Sequence, residues 1–411
     1  MRKTIILALL ACPAAALGNG YDVPNVNPRD LGMSGSAVAA QRDAGAAYAL
    51  PAALSRMEGL DLSLAAGVLE LGTTWKAPDG SSMAGSPDAS TKFQPAYPVS
   101  LFASYGTTIA GHGVGVGMGM NIPAGGNMHW PEDWSGRSRI ITVNRRLYGF
   151  YLNVAYELLS QIRLGGGLNY IHTTEYMKQG IEPSPTSYGE LYASGGAFGF
   201  QVSAEIKPSA KIPLTIGIDY KHKVHMKLTG DAHFVVPDSL LQSGSAAPPV
   251  DQGVTHELTY PNALNVGVAY RVAKPLLLTS GYSFSRYSLY AQDTFQGDKG
   301  MTIDVTRNYS NGHTFRLGAE YTLRERIDLR VGALRDISGL DVKYYSPTLP
   351  DANCWGASVG VGYMVGYNLA FNAAFFHAWM DTIEQTGTTE LPGIYNTRVS
   401  IVSAGLEWRI P

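Results

Sequence analysis

The chain has 411 residues, and its 31 Lys and Arg nearly balance its 33 Asp and Glu, so its charge gives no case for nucleic-acid binding. Only 16% of the residues are charged, which is low against the ~25% of an ordinary soluble domain. Glycine, with 47 residues, and tyrosine, with 24, are abundant, as expected for a barrel with aromatic girdles.

Residues 1–18 are predicted to be a cleaved secretory signal peptide. A basic pair precedes an apolar run at residues 5–11, and small residues at 14–16 offer a cleavage site. The run is too short to cross a bilayer as a helix. Cys12 also stands in a loose lipoprotein box, so lipidation of this cysteine is an open alternative. In both cases Cys354 is left alone, which excludes an internal disulfide.

The next segment, residues 19–58, does not alternate and is rich in Gly, Ala, Asn and Pro. It precedes the first predicted strand. A large barrel encloses space that must hold water or protein, so this segment is either a plug inside the lumen or a periplasmic extension. Both interpretations are open at this point, and we call residues 19–58 the hatch.

Alternation between apolar and small or polar residues dominates the remainder, residues 59–411. Residues 214–221 (LTIGIDYK), 264–271 (LNVGVAYR) and 327–333 (IDLRVGA) show it clearly. A period of two places the two sets on opposite faces of a sheet. A soluble sandwich would alternate in the same way, because one of its faces is buried.

Three further features favour a membrane barrel over a sandwich. Many segments reach the 9–11 residues that a tilted membrane strand needs. Tight turns alternate with long loops, and tyrosines cluster near strand ends. We therefore predict an all-β fold, a transmembrane antiparallel β-barrel of about fourteen strands. The predicted strands are 60–76, 96–109, 113–123, 142–158, 161–176, 190–207, 212–234, 254–272, 275–293, 310–323, 326–336, 353–365, 367–380 and 398–410.

One uncharged run, residues 352–380, is the best candidate for a transmembrane helix. It contains glycines and asparagines, and it divides at residues 365–367 into two alternating pieces. A strand, a turn and a second strand explain it better than one helix.

The hatch carries three short motifs in a specific order. They are residues 27–37 (NPRDLGMSGSA), 43–48 (DAGAAY) and 51–52 (PA). This order resembles the hatch of the FadL/TodX family, where an Asp-Ala pair and an Asn-Pro-Ala motif recur. Leu50 stands where the family has Asn, which puts in doubt any hydrogen bond from that position. The candidate hatch residues are Asp43, Tyr48, Pro51 and Ala52.

Downstream segments extend the resemblance over most of the mature chain. They are residues 261–270 (PNALNVGVAY), 317–321 (LGAEY) and 329–332 (LRVG). The C-terminus departs from the pattern, because Trp408 is followed by Arg-Ile-Pro where many barrels end in an aromatic residue.

The resemblance implies a bacterial outer-membrane barrel of fourteen strands, plugged by its hatch. It implies uptake of hydrophobic small molecules, either long-chain fatty acids or aromatic hydrocarbons, by passive diffusion with sideways exit through the wall. The expected partners are the hydrophobic substrate, outer-membrane lipid and lipopolysaccharide, with the chain a monomer. No cofactor and no metal are expected.

Glycine alternates with apolar residues at positions 113–120, and this pattern has two interpretations. One is an inward face left bare to make room for the hatch. The other is a kink that opens the wall, because glycine weakens a strand and Pro123 cannot donate to the ladder. In the FadL/TodX family a kinked third strand provides the lateral exit. The candidate residues of the substrate path are therefore Gly115, Gly117, Gly119 and Pro123.

Two other sets of residues are candidates for substrate contact. Exposed apolar residues in a long loop often mark binding sites, and the alternative is local packing against a neighbouring loop. The loop set is Val235, Val236, Leu240 and Leu241, which Trp130 and Trp134 could join unless they anchor the membrane interface. Inward-facing cations could meet a carboxylate, or could pair with inward acids such as Asp219, Glu320 and Asp328 in a wet lumen. The lumen set is Arg163, Lys221, Arg316 and Arg330.

Two common enzyme motifs are missing from the sequence. There is no His-Glu-x-x-His and no Cys-x-x-Cys. We therefore expect a channel and no enzyme. Two alternatives stay open: a hatch-containing barrel for protein secretion or surface assembly, and a barrel enzyme acting on lipid.

Overall fold

The fold is one closed antiparallel barrel with its N-terminal segment inside. The computed structural model describes residue 22 and residues 27–182, 184–237, 249–366, 368–385 and 391–410. One sheet contains twenty strands, and it closes because β1 (Gly59–Lys76) pairs with β3 (Val99–Ile109) on one side and β20 (Gly393–Ile410) on the other. Closure leaves no open edge to be exposed to lipid.

The wall has fourteen strands, as predicted. Some wall strands consist of two pieces, and β2 and β19 are short additions at the long-loop end. The remaining strands are β2 (Ala89–Ser90), β4 (His112–His129), β5 (Thr142–Leu159), β6 (Ile162–Gly180), β7 (Tyr188–Ile206), β8 (Leu214–Lys221), β9 (Val224–Val235), β10 (Gln252–Tyr260), β11 (Ala263–Ala273), β12 (Leu276–Ser285), β13 (Gln292–Gly297), β14 (Thr302–Thr306), β15 (Gly312–Leu323), β16 (Ile327–Ile337), β17 (Cys354–Val365), β18 (Leu369–Met380) and β19 (Ile383–Gln385).

Three predicted strands are interrupted. The predicted spans 212–234, 254–272 and 275–293 divide into β8 and β9, β10 and β11, and β12 and β13. Pro261 lies at the second break, and proline has no N–H to donate to the ladder. The breaks are adjacent, because Lys221 pairs with Ala263, which pairs with Ser285.

The uncharged run at residues 352–380 forms two antiparallel strands, β17 and β18, as predicted. Between them Gly366 has φ 74°, a left-handed conformation that glycine adopts without strain. No helix in the described ranges is long and apolar enough to cross a bilayer.

The two ends of the barrel differ in their connections. Two- and three-residue turns join strands at one end, for example at residues 110–111, 160–161 and 324–326. We call this the short-turn end; β1 begins and β20 ends there. Long connections, including residues 77–98 and 130–141, lie at the other, long-loop end.

An apolar band surrounds the outside of the wall. Large side chains such as Leu168, Leu317 and Val331 are more than half exposed, which is expected only where lipid covers them. An aromatic row follows the band near the short-turn end: Tyr105, Tyr156, Tyr270, Tyr321, Tyr363 and Trp408. Trp355 and Trp379, both more than half exposed, lie toward the long-loop end.

The described part of the hatch, Asp22 and residues 27–58, lies inside the lumen, mainly as short helical turns. They are α1 (Pro28–Leu31), α2 (Ala46–Ala49) and the 3-10 helices Val38–Ala40 and Pro51–Arg56. Leu31, Leu50 and Leu54 are almost fully buried, because the hatch packs against the inner wall. Residues 1–18, the predicted signal peptide, lie outside the described residues.

Candidate substrate path

Buried ion pairs attach the hatch to the wall. The Arg29 guanidinium donates from Nε and NH2 to the two carboxylate oxygens of Glu320 on β15, at 2.9 and 3.0 Å. Arg330 on β16 donates to the same carboxylate at 2.7 Å, and Arg42 of the hatch lies 2.8 Å from Asp328. Each of these buried charges therefore has an opposite charge beside it, as burial requires.

The predicted hatch residues hold the local fold and its contact with the wall. The Asp43 carboxylate accepts a hydrogen bond of 2.7 Å from the Gly45 backbone N–H. The Ala52 backbone N–H donates to the Ser203 hydroxyl on β7 at 2.8 Å, and Pro51 begins a 3-10 helix. The departure from the family pattern, Leu50, is fully buried, so apolar packing takes the place of a hydrogen bond at that position.

A cavity of about 170 Å³ lies between the hatch and the inner wall. One part of its lining is apolar, including Leu31, Val38, Leu334 and Phe376. The rest is polar: Asp22, Asp30, Ser34, Tyr48, Lys221, Tyr260, Asn265, Ser283, Ser285, Thr314, Arg316 and Asp336. A cavity lined by both apolar and polar side chains suits a molecule that has a tail and a head group.

Three of the four predicted lumen cations have carboxylate partners. Arg163 lies 2.7 Å from Glu157 and 3.2 Å from Glu205. Lys221 is bonded to Asp219, and its ammonium also lies 4.5 Å from the centre of the Tyr48 ring. The third is Arg330, which pairs with Glu320 and Asp328.

Arg316 differs from the other three cations. Its NH1 donates to the Ser283 hydroxyl, and it lines the cavity next to the hatch. Within the described ranges it has no carboxylate oxygen within 4.0 Å. Arg316 is therefore the candidate cation that the described side chains leave available to a ligand.

Burial raises the pKa of two hatch carboxyl groups that line the same cavity. The pKa of Asp22 rises to about 6, although the positive charges of Arg316 and Lys221 oppose the rise. Burial likewise raises the pKa of Asp30, and the positive charge of Arg316 again opposes it. Arg316 therefore interacts with both carboxyl groups across the cavity.

The third wall strand, β4, loses its regular pairing halfway along. Its pairing with β3 ends at Asn121 opposite Ser100, and its register with β5 shifts between Asn121 and Ala124. Ile122 and Pro123 occupy the shift, and Pro123 lines the lumenal cavity. Asp22 forms an isolated bridge with Ala124 just past it.

A second cavity, of about 180 Å³, lies in the wall beside this shift. On one side β1 stays joined to the segment before β3, because the Gly67 N–H donates to the Pro98 carbonyl and Leu69 bridges Ala96. On the other side the ladder between β3 and β4 ends at Asn121, and the next backbone hydrogen bond between these two segments runs from the Lys92 N–H to the His129 carbonyl. The cavity is lined by Leu69, Ala96, Tyr97, Pro98, Val99, Ile122, Gly125, Gly126, Asn127, Arg145, Arg146 and Tyr148.

The glycines of β4 face the hatch rather than the register shift. A β-carbon on Gly115 would lie 2.3 Å from the Leu54 carbonyl oxygen, and one on Gly117 would lie 2.9 Å from the Ala47 β-carbon. One on Gly119 would lie 2.3 Å from the Phe102 ring. The bare inner face of β4 thus makes room for the hatch and for Phe102, while the register shift falls at Pro123.

The outer-loop candidates are only partly placed. Val235 and Val236 are half-buried, and Val236 packs against buried apolar residues of the long-loop end. Leu240 and Leu241 lie outside the described residues. Trp130 and Trp134 are buried and stack with ring centres 4.0 Å apart, so they belong to a loop core rather than to a lipid-facing anchor.

Several residues of the path were not predicted from the sequence. Asp22 and Arg29 of the hatch and Ser283 of β12 carry no motif of their own, although Arg29 lies within the family-like segment 27–37. A buried charged chain near the long-loop end was also missed: Arg145, Glu175, His256, Asp293 and Arg307. The described residues nowhere bring three His, Cys, Asp or Glu side chains together as a metal site would require.

A known protein family matches nearly the whole chain. The family described as outer membrane protein transport protein (OMPP1/FadL/TodX) matches residues 8–406. An outer membrane protein of Neisseria meningitidis serogroup B is 23% identical, covering 89% of this chain and 87% of its own. Outer membrane protein P1 of Haemophilus influenzae is 20% identical over 60% of this chain and 59% of its own.

Solved structures share the fold at low sequence identity. A FadL homologue of Pseudomonas aeruginosa superposes with a TM-score of 0.81 at 17% identity, covering 95% of this chain and 99% of its own. The toluene transporter TbuX of Ralstonia pickettii has a TM-score of 0.69 at 16% identity, with 95% and 100% covered. The toluene transporter TodX of Pseudomonas putida has a TM-score of 0.70 at 13% identity, with 96% and 99% covered.

Proposed function

Because this chain belongs to the OMPP1/FadL/TodX family of outer-membrane transport proteins, we propose that it takes up long-chain fatty acids in preference to aromatic hydrocarbons. Uptake is passive diffusion through a monomeric barrel, and no chemical reaction is involved. The proposal includes removal of the signal peptide at residues 1–18. Arg316, facing the lumenal cavity without a carboxylate partner among the described residues, is the observation that carries it.

The head group of a fatty acid suits this cation. A guanidinium donates to a carboxylate through two parallel N–H groups, which neither toluene nor any other hydrocarbon could accept. Ser283 already positions the Arg316 side chain at the cavity. A hydrocarbon would offer the desolvated guanidinium no acceptor, so its only charged neighbours would be the more distant carboxyl groups of Asp22, Asp30 and Asp336.

The tail of a fatty acid suits the apolar side of the same cavity. Leu31 and Val38 of the hatch and Leu334 and Phe376 of the wall all line it. Each methylene removed from water contributes about 0.8 kcal/mol, so even a partly enclosed chain gains several kcal/mol.

We further propose that the substrate leaves sideways through the wall at Pro123. A hydrophobic molecule that passes directly into the bilayer avoids the cost of re-entering water. Such a route needs a break in the ladder that faces protein or a cavity. The register shift at Ile122–Pro123 connects the lining of the lumenal cavity to the wall cavity beside Ala96, and supports this route.

Uptake assays in cells test the substrate. Cells that lack their own hydrophobic-compound channels are supplied with this chain or with an empty vector, and uptake of labelled oleate and labelled toluene is followed. We expect the chain to accelerate oleate uptake more than toluene uptake. Faster uptake of toluene alone would assign the chain to aromatic hydrocarbons. If the chain accelerated uptake of neither compound, the proposal would be wrong. Co-purification of a secreted protein would instead favour the export alternative.

A further inference from the structure

Two exposed cations lie near each other on the outer wall, at the level where three wall strands are interrupted. Lys223 lies between β8 and β9, and Arg286 directly follows β12. Asn262, between β10 and β11, separates them and accepts a 3.0 Å hydrogen bond from the Arg286 backbone N–H. Lys223 and Arg286 are thus about two strand spacings, roughly 10 Å, apart across the wall. Both side chains are exposed.

A second aromatic row lies next to them on the outside of the barrel, on the side that faces the short-turn end. The His222 ring stacks on Phe200 at 4.6 Å, and its Nδ1 lies 2.9 Å from the Tyr220 hydroxyl. On the next strands His313 lies 2.9 Å from the Tyr282 hydroxyl and 5.6 Å from the Phe284 ring. Rows of this kind mark the membrane–water interface of outer-membrane barrels.

The height of the two cations agrees with that position. β12 begins at Leu276 at the short-turn end, and Arg286 follows ten residues later. Ten residues rise about 33 Å along a strand, or roughly 25 Å along the axis of a barrel whose strands tilt by ~40°. The apolar band of such barrels is also ~25 Å tall, so Lys223 and Arg286 lie at its outer edge.

The surface around the two cations carries no compensating acid. In the described ranges neither side chain forms an ion pair, and the lipid-facing positions of β8, β11, β12 and β15 contain no Asp or Glu. On β10 the outward acid Glu257 lies 3.7 Å from His225 and opposite Lys227. Elsewhere at this height Arg335 is paired with Asp381 at 3.2 Å. The surface at Lys223 and Arg286 is therefore positively charged.

We propose that Lys223 and Arg286, with the amide of Asn262 between them, bind a phosphate group of lipid A in the outer leaflet. Lipid A is the phosphorylated glycolipid that anchors lipopolysaccharide, and its phosphates lie at the boundary between acyl chains and water. Its acyl chains cover the apolar residues below, such as Leu264 and Val266. A small soluble anion would use the cations but not this apolar surface. The site lies outside the lumen and is separate from the substrate path.

The test measures lipid A bound to purified, folded barrel. Wild-type protein and the double variant Lys223→Gln/Arg286→Gln are purified from the same cells, and bound lipid A per barrel is quantified by native mass spectrometry. The matched control is Lys211→Gln/Lys274→Gln, which removes two exposed cations from turns at the short-turn end of the same wall region. A second variant, Lys223→Arg/Arg286→Lys, keeps both charges. A second arm titrates wild-type barrel with lipid A and with enzymatically dephosphorylated lipid A.

We expect the double variant to retain roughly 25-fold less lipid A than wild type, since each interfacial cation contributes about a factor of five. The control and the charge-keeping variant should retain wild-type amounts. Dephosphorylated lipid A should bind wild type as weakly as lipid A binds the double variant. Equal retention by the double variant and wild type would overturn the site, and so would equal binding of the two lipids. Fatty-acid uptake is not the readout, so this result is independent of the proposed function.

Discussion

Arg29 of the hatch and Glu320 of β15, which are 291 positions apart in the chain, are joined by two hydrogen bonds of 2.9 and 3.0 Å in the buried lumen. Arg29 lies in α1 and Glu320 in β15, and neither element depends on this contact for its own backbone structure. The pair, extended by Arg330 and Arg42, holds the plug against the wall. Its strength should therefore decide how well the lumen is sealed.

Replacing Glu320 with Gln should loosen the hatch. Removing one partner of a buried pair leaves the arginines unmatched and costs about 3–5 kcal/mol. We expect faster influx of small polar antibiotics into cells that express the variant. Glu157→Gln is the control, because Glu157 pairs with Arg163 of the wall and with no hatch residue. Equal influx in the two variants, both properly inserted, would mean that the ion pairs do not hold the plug.

Filling the wall cavity should slow sideways exit. Ala96→Trp places a large ring in a space of about 180 Å³ beside the register shift. Fatty-acid uptake should fall at least severalfold while binding to the lumen stays unchanged. Ala357→Trp, on the lipid-facing side of β17, adds the same ring away from the cavity and should have no effect. Wild-type uptake by an inserted Ala96→Trp barrel would exclude exit through this gap.

Substitution of the glycines on β4 is a poorer test of that exit. A side chain on Gly115 or Gly117 would collide with Leu54 or Ala47 of the hatch, so lost uptake could come from a displaced plug. We expect Gly117→Leu to increase leakage of polar solutes as well as to reduce uptake. Reduced uptake without leakage would show that the glycine acts on the path alone.

Docking of Asp22 on β4 should depend on pH. Burial raises the pKa of Asp22 to about 6 from an ordinary 3.8, so its neutral form is the one that docks well. The free energy that docking of Asp22 beside Ala124 contributes is fully present below pH 4. It declines as the pH rises through 6, and the docking equilibrium constant falls by at most about tenfold per pH unit. Hydrogen exchange, corrected for its intrinsic pH dependence, should show better protection around residue 124 at pH 5 than at pH 8. Asp22→Asn should remove the difference, and a persistent difference in that variant would assign it to another group.

The wall could be predicted from the sequence because its signal is local. Every strand alternates along itself, and residues 214–221 show their two faces without reference to any other part of the chain. The breaks at Pro261 and near Lys223 were missed because the apolar alternation resumes directly after them.

The site was less predictable because its properties arise between distant segments. Arg163, Lys221, Arg316 and Arg330 share the same inward phase, and the sequence gives no means to tell which of them meets an acid. Their pairing depends on register between strands, which places Glu320 beside Arg330. The structure of the hatch is likewise set by the wall that encloses it, so its small residues gave little local signal.

The most direct measurement of the central claim is the affinity of purified barrel for a fatty acid, with and without Arg316. Dissociation constants for oleate, for the neutral alcohol of the same chain length and for toluene are compared between wild type and Arg316→Gln, with Arg271→Gln at the short-turn end as the control. The loss of a charge-assisted contact should weaken oleate binding by roughly ten- to a hundredfold and leave alcohol binding unchanged. Wild-type affinity of Arg316→Gln for oleate, or tighter binding of toluene than of oleate to the wild-type barrel, would contradict the claim.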